Sequence, residues 1–203
     1  MKEEENELKL LIEKEGYYRA LEFFEKVRDP IEQVNYYFES PERFFQKNGI
    51  TLRVRKIENK YTLTVKIKNS FKNNIVKSYE FHKPISINSF YDAVDNPNHI
   101  YKLLNNDAFE AVLTLLGEKK ELKYLGYINN KRSVLKAFNT WEIDLDCTKF
   151  PNEFITYEIE VENILNTDEF INKLNIIGIT GQITDKGKYN RFLKLLNDST
   201  FKV

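Results

Sequence analysis

The sequence contains little cysteine, glycine and proline, and each shortage excludes a class of protein. Its one cysteine, Cys147, permits no internal disulfide bond, which is typical of a reducing compartment. The 7 glycines and 5 prolines are too few for a collagen-like or low-complexity chain. With 15 phenylalanines, 12 tyrosines and an apolar fraction of 41%, the 203 residues can bury a sizeable core. We therefore predict a single domain over residues 1–203.

Long apolar runs and a leader segment are also missing. No stretch approaches the ~18 apolar residues that a helix needs to cross a bilayer. Residues 1–7 are acidic, whereas a secretory signal begins with a basic segment and an apolar one. The sequence therefore predicts a cytoplasmic protein with no membrane partner.

The chain has no excess of charge of either sign. Its 31 lysines and arginines balance 31 aspartates and glutamates, so the net charge is zero. A generally basic surface for nucleic acid is therefore excluded, and no nucleic-acid partner is expected. Any polyanion that binds must find positive charge concentrated locally.

Two periodicities run along the chain. Alternation of apolar and polar residues predicts strands, and apolar residues at helical spacing predict helices. Because strands and helices come in separate runs joined by tight turns, the predicted fold class is α+β, an antiparallel sheet or barrel carrying helices. The predicted strands cover residues 5–10, 34–38, 50–55, 61–68, 75–81, 127–135, 141–146 and 155–162. The predicted helices cover residues 15–27, 87–104, 108–116 before Gly117, a segment beginning at Thr167, and 188–196.

Charged residues are sorted by sign on the predicted strands, where residues i and i+2 share a face. The solvated face of an antiparallel sheet would explain any one strand taken alone. It does not explain the sorting, because like charges on neighbouring positions repel one another. A ligand with phosphates and a divalent cation would explain both signs, since Arg and Lys bind phosphate and carboxylates bind Mg²⁺ or Mn²⁺. The basic positions are Arg53, Arg55, Lys66 and Lys68, and the acidic ones are Glu142, Asp144, Asp146, Glu158, Glu160 and Glu162.

Several blocks resemble, in order along the chain, the signatures of the CYTH superfamily, also called triphosphate tunnel metalloenzymes. Glu5-x-Glu7-x-Lys9 resembles its ExExK signature, and together the blocks span residues 5–189. The other similar blocks are QVNYYFES at 33–40, LRVR at 52–55, TVKIK at 64–68, the single Arg132, LDCTKF at 145–150, YEIEVE at 157–162 and Lys188-Tyr189.

The resemblance implies an eight-stranded antiparallel barrel with helices outside, forming a tunnel lined by charged side chains. It implies a metal-dependent triphosphatase with Mg²⁺ or Mn²⁺ as cofactor and a small-molecule triphosphate as substrate. The implied metal ligands are Glu5, Glu7, Asp146, Glu158 and Glu160, with Glu80, Asp144 and Glu162 as further candidates. The implied triphosphate-binding residues are Lys9, Arg53, Arg55, Lys66, Lys68, Arg132 and Lys188. The implied catalytic residues are Glu5, Glu7, Lys9 and Glu160.

Four positions depart from the family pattern and leave the substrate open. Ser78 stands where many members have Arg, and His82 replaces a frequent Glu, although Glu80 keeps its acidic position. Asn35 replaces Asp, and Gly187 replaces Ser. We expect His82 to be a hydrogen-bonded bystander and Cys147 to be a small apolar residue rather than a nucleophile.

The substrate is inorganic triphosphate, thiamine triphosphate or a nucleoside triphosphate on this interpretation. Two other functions stay open: a class IV adenylate cyclase, and a non-catalytic module that binds polyphosphate or nucleotides. A monomer and a homodimer are both compatible with the sequence. Lys188 follows a segment that begins and ends with Gly181 and Gly187, and we expect it to move onto the phosphates.

Overall fold

The computed structural model describes residues 2–104, 108, 110 and 121–197. Its strands are β1 (Lys2–Ile12), β2 (Glu25–Lys26), β3 (Ile31–Glu39), β4 (Ile50–Ile57), β5 (Lys60–Lys72), β6 (Ile75–Ile85), β7 (Lys123–Ala137), β8 (Trp141–Lys149), β9 (Ile155–Glu162) and β10 (Gly181–Ile183). Its α-helices are α1 (Lys14–Phe23), α2 (Phe44–Lys47), α3 (Ile87–Asp95), α4 (Ile100–Leu103), α5 (Thr167–Ile176) and α6 (Lys188–Asn197), with 3₁₀ turns at Pro97–His99 and Pro151–Glu153. No described helix combines the length and the apolar character needed to cross a bilayer.

The strands form one sheet that closes on itself. Their order is β10-β1-β6-β5-β4-β3-β7-β8-β9, and β1 also pairs with β9. Leaving out β10 and the short β2, eight strands complete the ring. The predicted α+β class with an eight-stranded antiparallel barrel is therefore confirmed.

Contacts group the chain into two compact units. The first takes in Met1–Glu4, Gln33–Asn69 and Ser78–Ile128, and the second takes in Glu5–Glu32, Ser70–Lys77 and Asn129–Val203. Several strands, β1 among them, contribute residues to both units. The single domain expected over residues 1–203 stays a prediction.

The first unit has a core built on the apolar face of β4 and β5. Leu52 and Val54 of β4 and Leu63 of β5 are buried because they alternate with the polar residues of the same strands. Phe90 of α3 covers this face and stacks on Tyr61, with ring centroids 4.8 Å apart. The polar residues of β4 and β5 consequently point to the opposite face.

The second unit also has a core on the apolar face of its strands, here β1, β8 and β9. Leu8 of β1, Leu145 of β8 and Ile159 of β9 are all 0% exposed and belong to one cluster. Ala20 of α1 and Phe170 of α5 cover them. The acidic residues that alternate with these apolar ones therefore lie on the face away from α1 and α5.

All eight predicted strands lie within observed strands, but two helical predictions were too long. The helix predicted over 15–27 ends at Phe23, and Glu25–Lys26 instead pairs with β7. The helix predicted over 87–104 is divided into α3, a 3₁₀ turn and α4, because Pro97 lacks the amide hydrogen that a continuous helix needs. The helix predicted over 108–116 and its stop at Gly117 lie mostly outside the described residues.

Two elements were not predicted because they are too short to show a period. The helix α2 has four residues and the strand β10 has three. Each is held by its neighbours: Glu39 accepts hydrogen bonds from the amides of Phe45 and Gln46, both at 2.9 Å, and β10 pairs with β1. Glu39 thereby satisfies amides at the start of α2 that have no partner within the helix.

Candidate functional site

In the second unit the strand register arranges the charges in two rows. The acidic strands β8 and β9 are neighbours, and the strand on the other side of each contributes one cation to the rows: β7 beside β8 and β1 beside β9. Each row therefore contains one pair of opposite charges across strands, which stabilises a sheet, and one pair of carboxylates, which repel each other. The two rows are Lys9–Glu160–Asp144 and Glu158–Asp146–Arg132.

Three carboxylates of these strands converge on the ammonium group of Lys188. Its Nζ lies 2.8 Å from Asp146 Oδ2, 2.7 Å from Glu158 Oε2 and 2.9 Å from Glu160 Oε1. Asp146 and Glu158 are completely buried. Lys188 is the first residue of α6, so this helix delivers a cation to the point where the carboxylates meet.

Arg132 binds the same group of carboxylates from β7. Its Nε and Nη2 donate to Asp146 at 2.8 and 2.6 Å, and Nη2 also donates to Glu160 at 2.5 Å. Its Nη1 donates to Asp144. The amide of Asn130 donates to Asp146 at 2.9 Å. Arg132 thus links three acidic residues on two strands.

The first strand completes the cluster with one acid and one base. Lys9 Nζ lies 2.6 Å from Glu7 Oε2 and 2.7 Å from Glu160 Oε1, and both Lys9 and Glu7 are buried. Glu162, at the exposed end of β9, has a raised pKa because of partial burial and the negative charges of Glu5, Asp144 and Glu7. Glu5 and Glu162 therefore lie within electrostatic range of the cluster.

The buried acids and bases keep each other ionised. Burial would raise the pKa of Asp146, but Lys188 and Arg132 outweigh it and lower that pKa to about 2. Burial opposes ionisation of Glu160 as well, and Lys188, Lys9 and Arg132 hold its pKa well below the usual range. The same ion pairs raise the pKa of Lys188 against the effect of its burial. At neutral pH Asp146, Glu160 and Lys188 are therefore held as ion pairs.

The donor set fits a hard divalent cation. Carboxylate oxygens are the ligands that Mg²⁺ and Mn²⁺ prefer. Among the described residues, no three such side chains are already spaced as the ligands of a bound ion. The oxygens around Lys188 lie 2.7–2.9 Å from its nitrogen, against about 2.0–2.1 Å for Mg²⁺–oxygen bonds. These carboxylates could therefore bind a divalent cation only after the ammonium group of Lys188 has moved away from them.

Arg191 also belongs to the cluster, and the motif comparison missed it. Its Nη2 lies 2.7 Å from Glu158 Oε2. The available signal was helical spacing, because Arg191 follows Lys188 by three residues and so shares its side of α6. The CYTH signatures quoted above end at residue 189 and do not include it.

In the first unit, the basic strands gather around one carboxylate. Glu80 Oε1 lies 3.0 Å from Lys66 Nζ, and Glu80 Oε2 lies 3.5 Å from Arg53 Nη2. Arg55 donates from Nε to Asn35 Oδ1 at 3.1 Å. Burial would raise the pKa of Glu80, but Arg53 and Lys66 outweigh it and lower that pKa to about 2. Arg53, Arg55 and Lys66 thus contact polar side chains of this unit.

The remaining predicted residues of this unit lie next to that group. Lys68, two residues after Lys66 on β5, is partly buried, and its backbone amide donates to the carbonyl of Gly49 at 2.8 Å. His82 Nε2 lies 3.3 Å from Glu80 Oε2 and 3.7 Å from Glu3 Oε2, and Nδ1 lies 3.1 Å from Thr64 Oγ1. His82 is therefore surrounded by hydrogen-bonding groups on both sides of its ring.

Two residues that the sequence set aside have environments that suit no reaction. Ser78, at the position where relatives carry Arg, is completely buried in β6. Cys147 packs against the core cluster of the second unit, and burial raises the pKa of its thiol. A raised pKa leaves little thiolate, which is the reactive form.

The comparisons with known proteins identify the family and agree with the fold. A family model for the CYTH domain matches residues 3–188. HpAC1 from Hippeastrum, a proposed adenylyl cyclase with a dominant triphosphatase activity, is 21% identical with a TM-score of 0.77, over 94% of this chain and 95% of its own. A proposed adenylate cyclase from Bacillus halodurans is 24% identical with a TM-score of 0.74, over 94% and 98%. PH1819 from Pyrococcus horikoshii OT3 is 17% identical with a TM-score of 0.55, over 95% and 98%. No curated protein matches the chain.

Proposed function

Because the chain belongs to the CYTH domain family, we propose that it hydrolyses a small-molecule triphosphate with a divalent metal ion, Mg²⁺ or Mn²⁺. The observation that carries the proposal is the convergence of Asp146, Glu158 and Glu160 on one cation. Simple anion binding does not need three buried carboxylates at one point. A metal-bound triphosphate needs both carboxylates for the metal and cations for the phosphates.

The ion pairs of the cluster suit an exchange of partners. A metal–triphosphate complex brings a cation for the carboxylates and anions for the lysines and arginines at the same time. Binding of either component alone would leave buried charges of the other sign without partners, which is costly. We therefore expect the metal and the triphosphate to bind cooperatively.

Each group of side chains has a separate role in the proposed reaction. The metal, when bound, neutralises charge on the transferred phosphoryl group. The carboxylates hold it, and those not occupied by it orient the attacking water. The basic residues bind phosphate oxygens and hold the chain for attack at the terminal phosphoryl group. The proposed metal ligands are Glu5, Glu7, Asp146, Glu158 and Glu160, and the proposed phosphate-binding residues are Lys9, Arg53, Arg55, Lys66, Lys68, Arg132 and Lys188.

Phosphate release from a panel of substrates tests the proposal. The full chain is incubated with Mg²⁺ or Mn²⁺ and inorganic triphosphate, thiamine triphosphate, ATP or GTP, with EDTA as the metal-free control. Metal-dependent release of phosphate is the expected result. Cyclic AMP and pyrophosphate from ATP would instead identify a cyclase, and binding without turnover would identify a non-catalytic module.

Glu160→Gln provides the first test by mutation. Glu160 accepts from Lys9, Arg132 and Lys188, and its loss removes a proposed metal ligand at the centre of the cluster. We expect kcat/KM to fall by about 100-fold or more, the scale on which one charge-stabilising group acts.

Glu142→Gln is the matched control for this variant. Glu142 is an exposed carboxylate on the neighbouring strand β8, and its removal is expected to leave turnover unchanged. Equal activity of Glu160→Gln and Glu142→Gln at low metal concentration would contradict the proposed metal site.

A further inference from the structure

Arg191 is a partly buried cation, its side chain 14% exposed, directed at a single carboxylate. Its Nη2 donates to Glu158 Oε2 at 2.7 Å, and its Nη1 lies 3.5 Å from Glu158 Oε1. The same Nη1 donates to the backbone carbonyl of Lys186 at 2.9 Å. The guanidinium is thus anchored to the segment that precedes α6, while its two terminal nitrogens, Nη1 and Nη2, face Glu158.

Lys188 and Arg191 hold Glu158 in different ways. Lys188 stands where three carboxylates converge, so a metal ion and its ammonium would compete for the same oxygens. The carboxylate contacts of Arg191, among the described residues, are to Glu158 alone. Arg191 therefore lies beside the point of convergence.

This difference between Lys188 and Arg191 affects Glu158 when Lys188 moves to a phosphate group of the substrate. The described partners of the Glu158 carboxylate are Lys188 and Arg191. Glu158 is completely buried, so after Lys188 leaves, the guanidinium of Arg191 is what keeps its charge paired. The planar fork of Arg also fixes the orientation of a carboxylate, which a point charge does not.

We infer that Arg191 is a positioning residue that holds the Glu158 carboxylate in place as a metal ligand when Lys188 has moved away. The inference rests on the proposed function, because it requires a metal at the carboxylates. It predicts that Arg191 strengthens metal binding although it is itself a cation. A counter-ion that only competed with the metal would have the opposite effect.

Binding of Mn²⁺ alone to the full chain, with Lys188 present and in the Lys188→Met background, tests the inference without any turnover. Free Mn²⁺ is measured by electron paramagnetic resonance during a titration of each variant. Arg191→Gln is expected to weaken Mn²⁺ binding by about 10- to 100-fold, the usual effect of removing a residue that orients a metal ligand. Arg191→Lys is expected to restore part of the affinity, because it keeps the charge but not the fork.

Two variants on the same helix serve as controls. Lys194→Gln removes an exposed charge from α6 and is expected to bind Mn²⁺ as the unmodified chain does. Lys188→Met removes the competing ammonium and is expected to bind Mn²⁺ at least as tightly. A uniform loss of affinity in all variants of α6 would overturn the inference, since it would reflect general disturbance of the helix.

A double variant keeps the test available if Arg191→Gln is unstable. Glu158→Gln with Arg191→Gln removes both charges of the pair and leaves neither of them buried alone. If Arg191 acts through Glu158, its substitution has no further effect on Mn²⁺ binding in the Glu158→Gln background.

The outcomes separate this inference from the proposed function. Unchanged or tighter Mn²⁺ binding by Arg191→Gln, with normal binding by the unmodified chain, overturns the inference alone. Absence of Mn²⁺ binding to Lys188→Met, in which the competing ammonium is gone, as well as to the unmodified chain overturns the inference and the metal-dependent function together.

Discussion

Single charged residues in this protein are stabilised by their immediate neighbours. Glu80 is 2% exposed, and Lys66, Arg53 and His82 all lie within 3.5 Å of its carboxylate. A carboxylate in such a place is stable as an anion, which is why its pKa falls to about 2 although burial acts in the other direction. Its ionisation is therefore coupled to the stability of the fold.

The pH dependence of unfolding tests this coupling. A carboxylate with a lowered pKa stabilises the folded state above its unfolded pKa of 4.5, and the contribution is lost as the pH falls towards about 2. At ~1.36 kcal/mol per unit, Glu80→Gln is expected to lower the free energy of unfolding near pH 6 by about 3 kcal/mol. The difference from the unmodified chain should shrink as the pH falls from 4.5 towards 2.

Urea unfolding at a series of pH values from 6 down to 3 measures this difference. Glu42→Gln removes an exposed carboxylate of the same unit and should shift the curves very little. If the free energy of unfolding of Glu80→Gln differed from that of the unmodified chain by the same amount at every pH, ionisation of Glu80 would contribute nothing to stability.

At the scale of elements, the short strand β10 sets the position of α6. Gly181 pairs with Ile12 of β1, and a Cβ atom at this glycine would lie 2.9 Å from both Ile12 Cγ2 and the carbonyl oxygen of Leu11. Only a residue without a side chain permits this approach of the two backbones. The glycine therefore serves strand pairing, a role that differs from the mobility expected from the sequence.

Gly181→Ala is expected to push β10 away from β1. Overpacking of this kind costs about 1–3 kcal/mol of stability. Urea unfolding measures the loss, and faster hydrogen exchange at the amides of β10 would locate it.

Gly187→Ser is the matched control in the same segment. A Cβ atom at Gly187 meets nothing within 4 Å, and serine is favoured just before a helix. We expect its stability to be equal or slightly higher. If Gly181→Ala and Gly187→Ser lowered the stability equally, the close approach of the two backbones at Gly181 would not be the cause of the loss.

At the scale of the whole molecule, two described lysines that lie over an aromatic ring are not among the proposed phosphate-binding residues: Lys56 lies over Tyr61, and Lys173 lies over Phe138 and Trp141. Aromatic contacts lie in the apolar cores, such as Tyr36 with Phe90 at 4.6 Å and Trp141 with Phe170 at 5.2 Å between ring centroids. Tyr37 is the cross-strand neighbour of Arg53, but it is 1% exposed and so offers no surface for stacking. The charged groups themselves are suited to phosphate.

This arrangement predicts the substrate preference. Inorganic triphosphate is expected to be hydrolysed at least as efficiently as ATP, because the phosphates carry the charges that these groups recognise. The ratio of kcat/KM for the two substrates measures the preference directly. A ratio of 10 or more in favour of ATP or thiamine triphosphate would require recognition of an organic group.

The local sequence was sufficient to predict the strands, the face of each strand that carries charge and the sign of that charge. Alternation on β8 and β9 marked Asp146, Glu158 and Glu160 as one polar face, because side chains of a strand point to opposite sides in turn. These are properties of short segments, and each can be found within a few residues of the chain. The closed eight-stranded barrel was implied by the resemblance to the CYTH superfamily.

Tertiary structure decided which charges meet. Periodicity gives the face of a strand but not its register, so it could not pair Lys9 with Glu160 or Arg132 with Asp146. The contacts of Lys188 and Arg191 with Glu160 and Glu158 join residues 28 and 33 positions apart, and they depend on how β10 places α6. That placement rests on three residues of strand, too few to show any period.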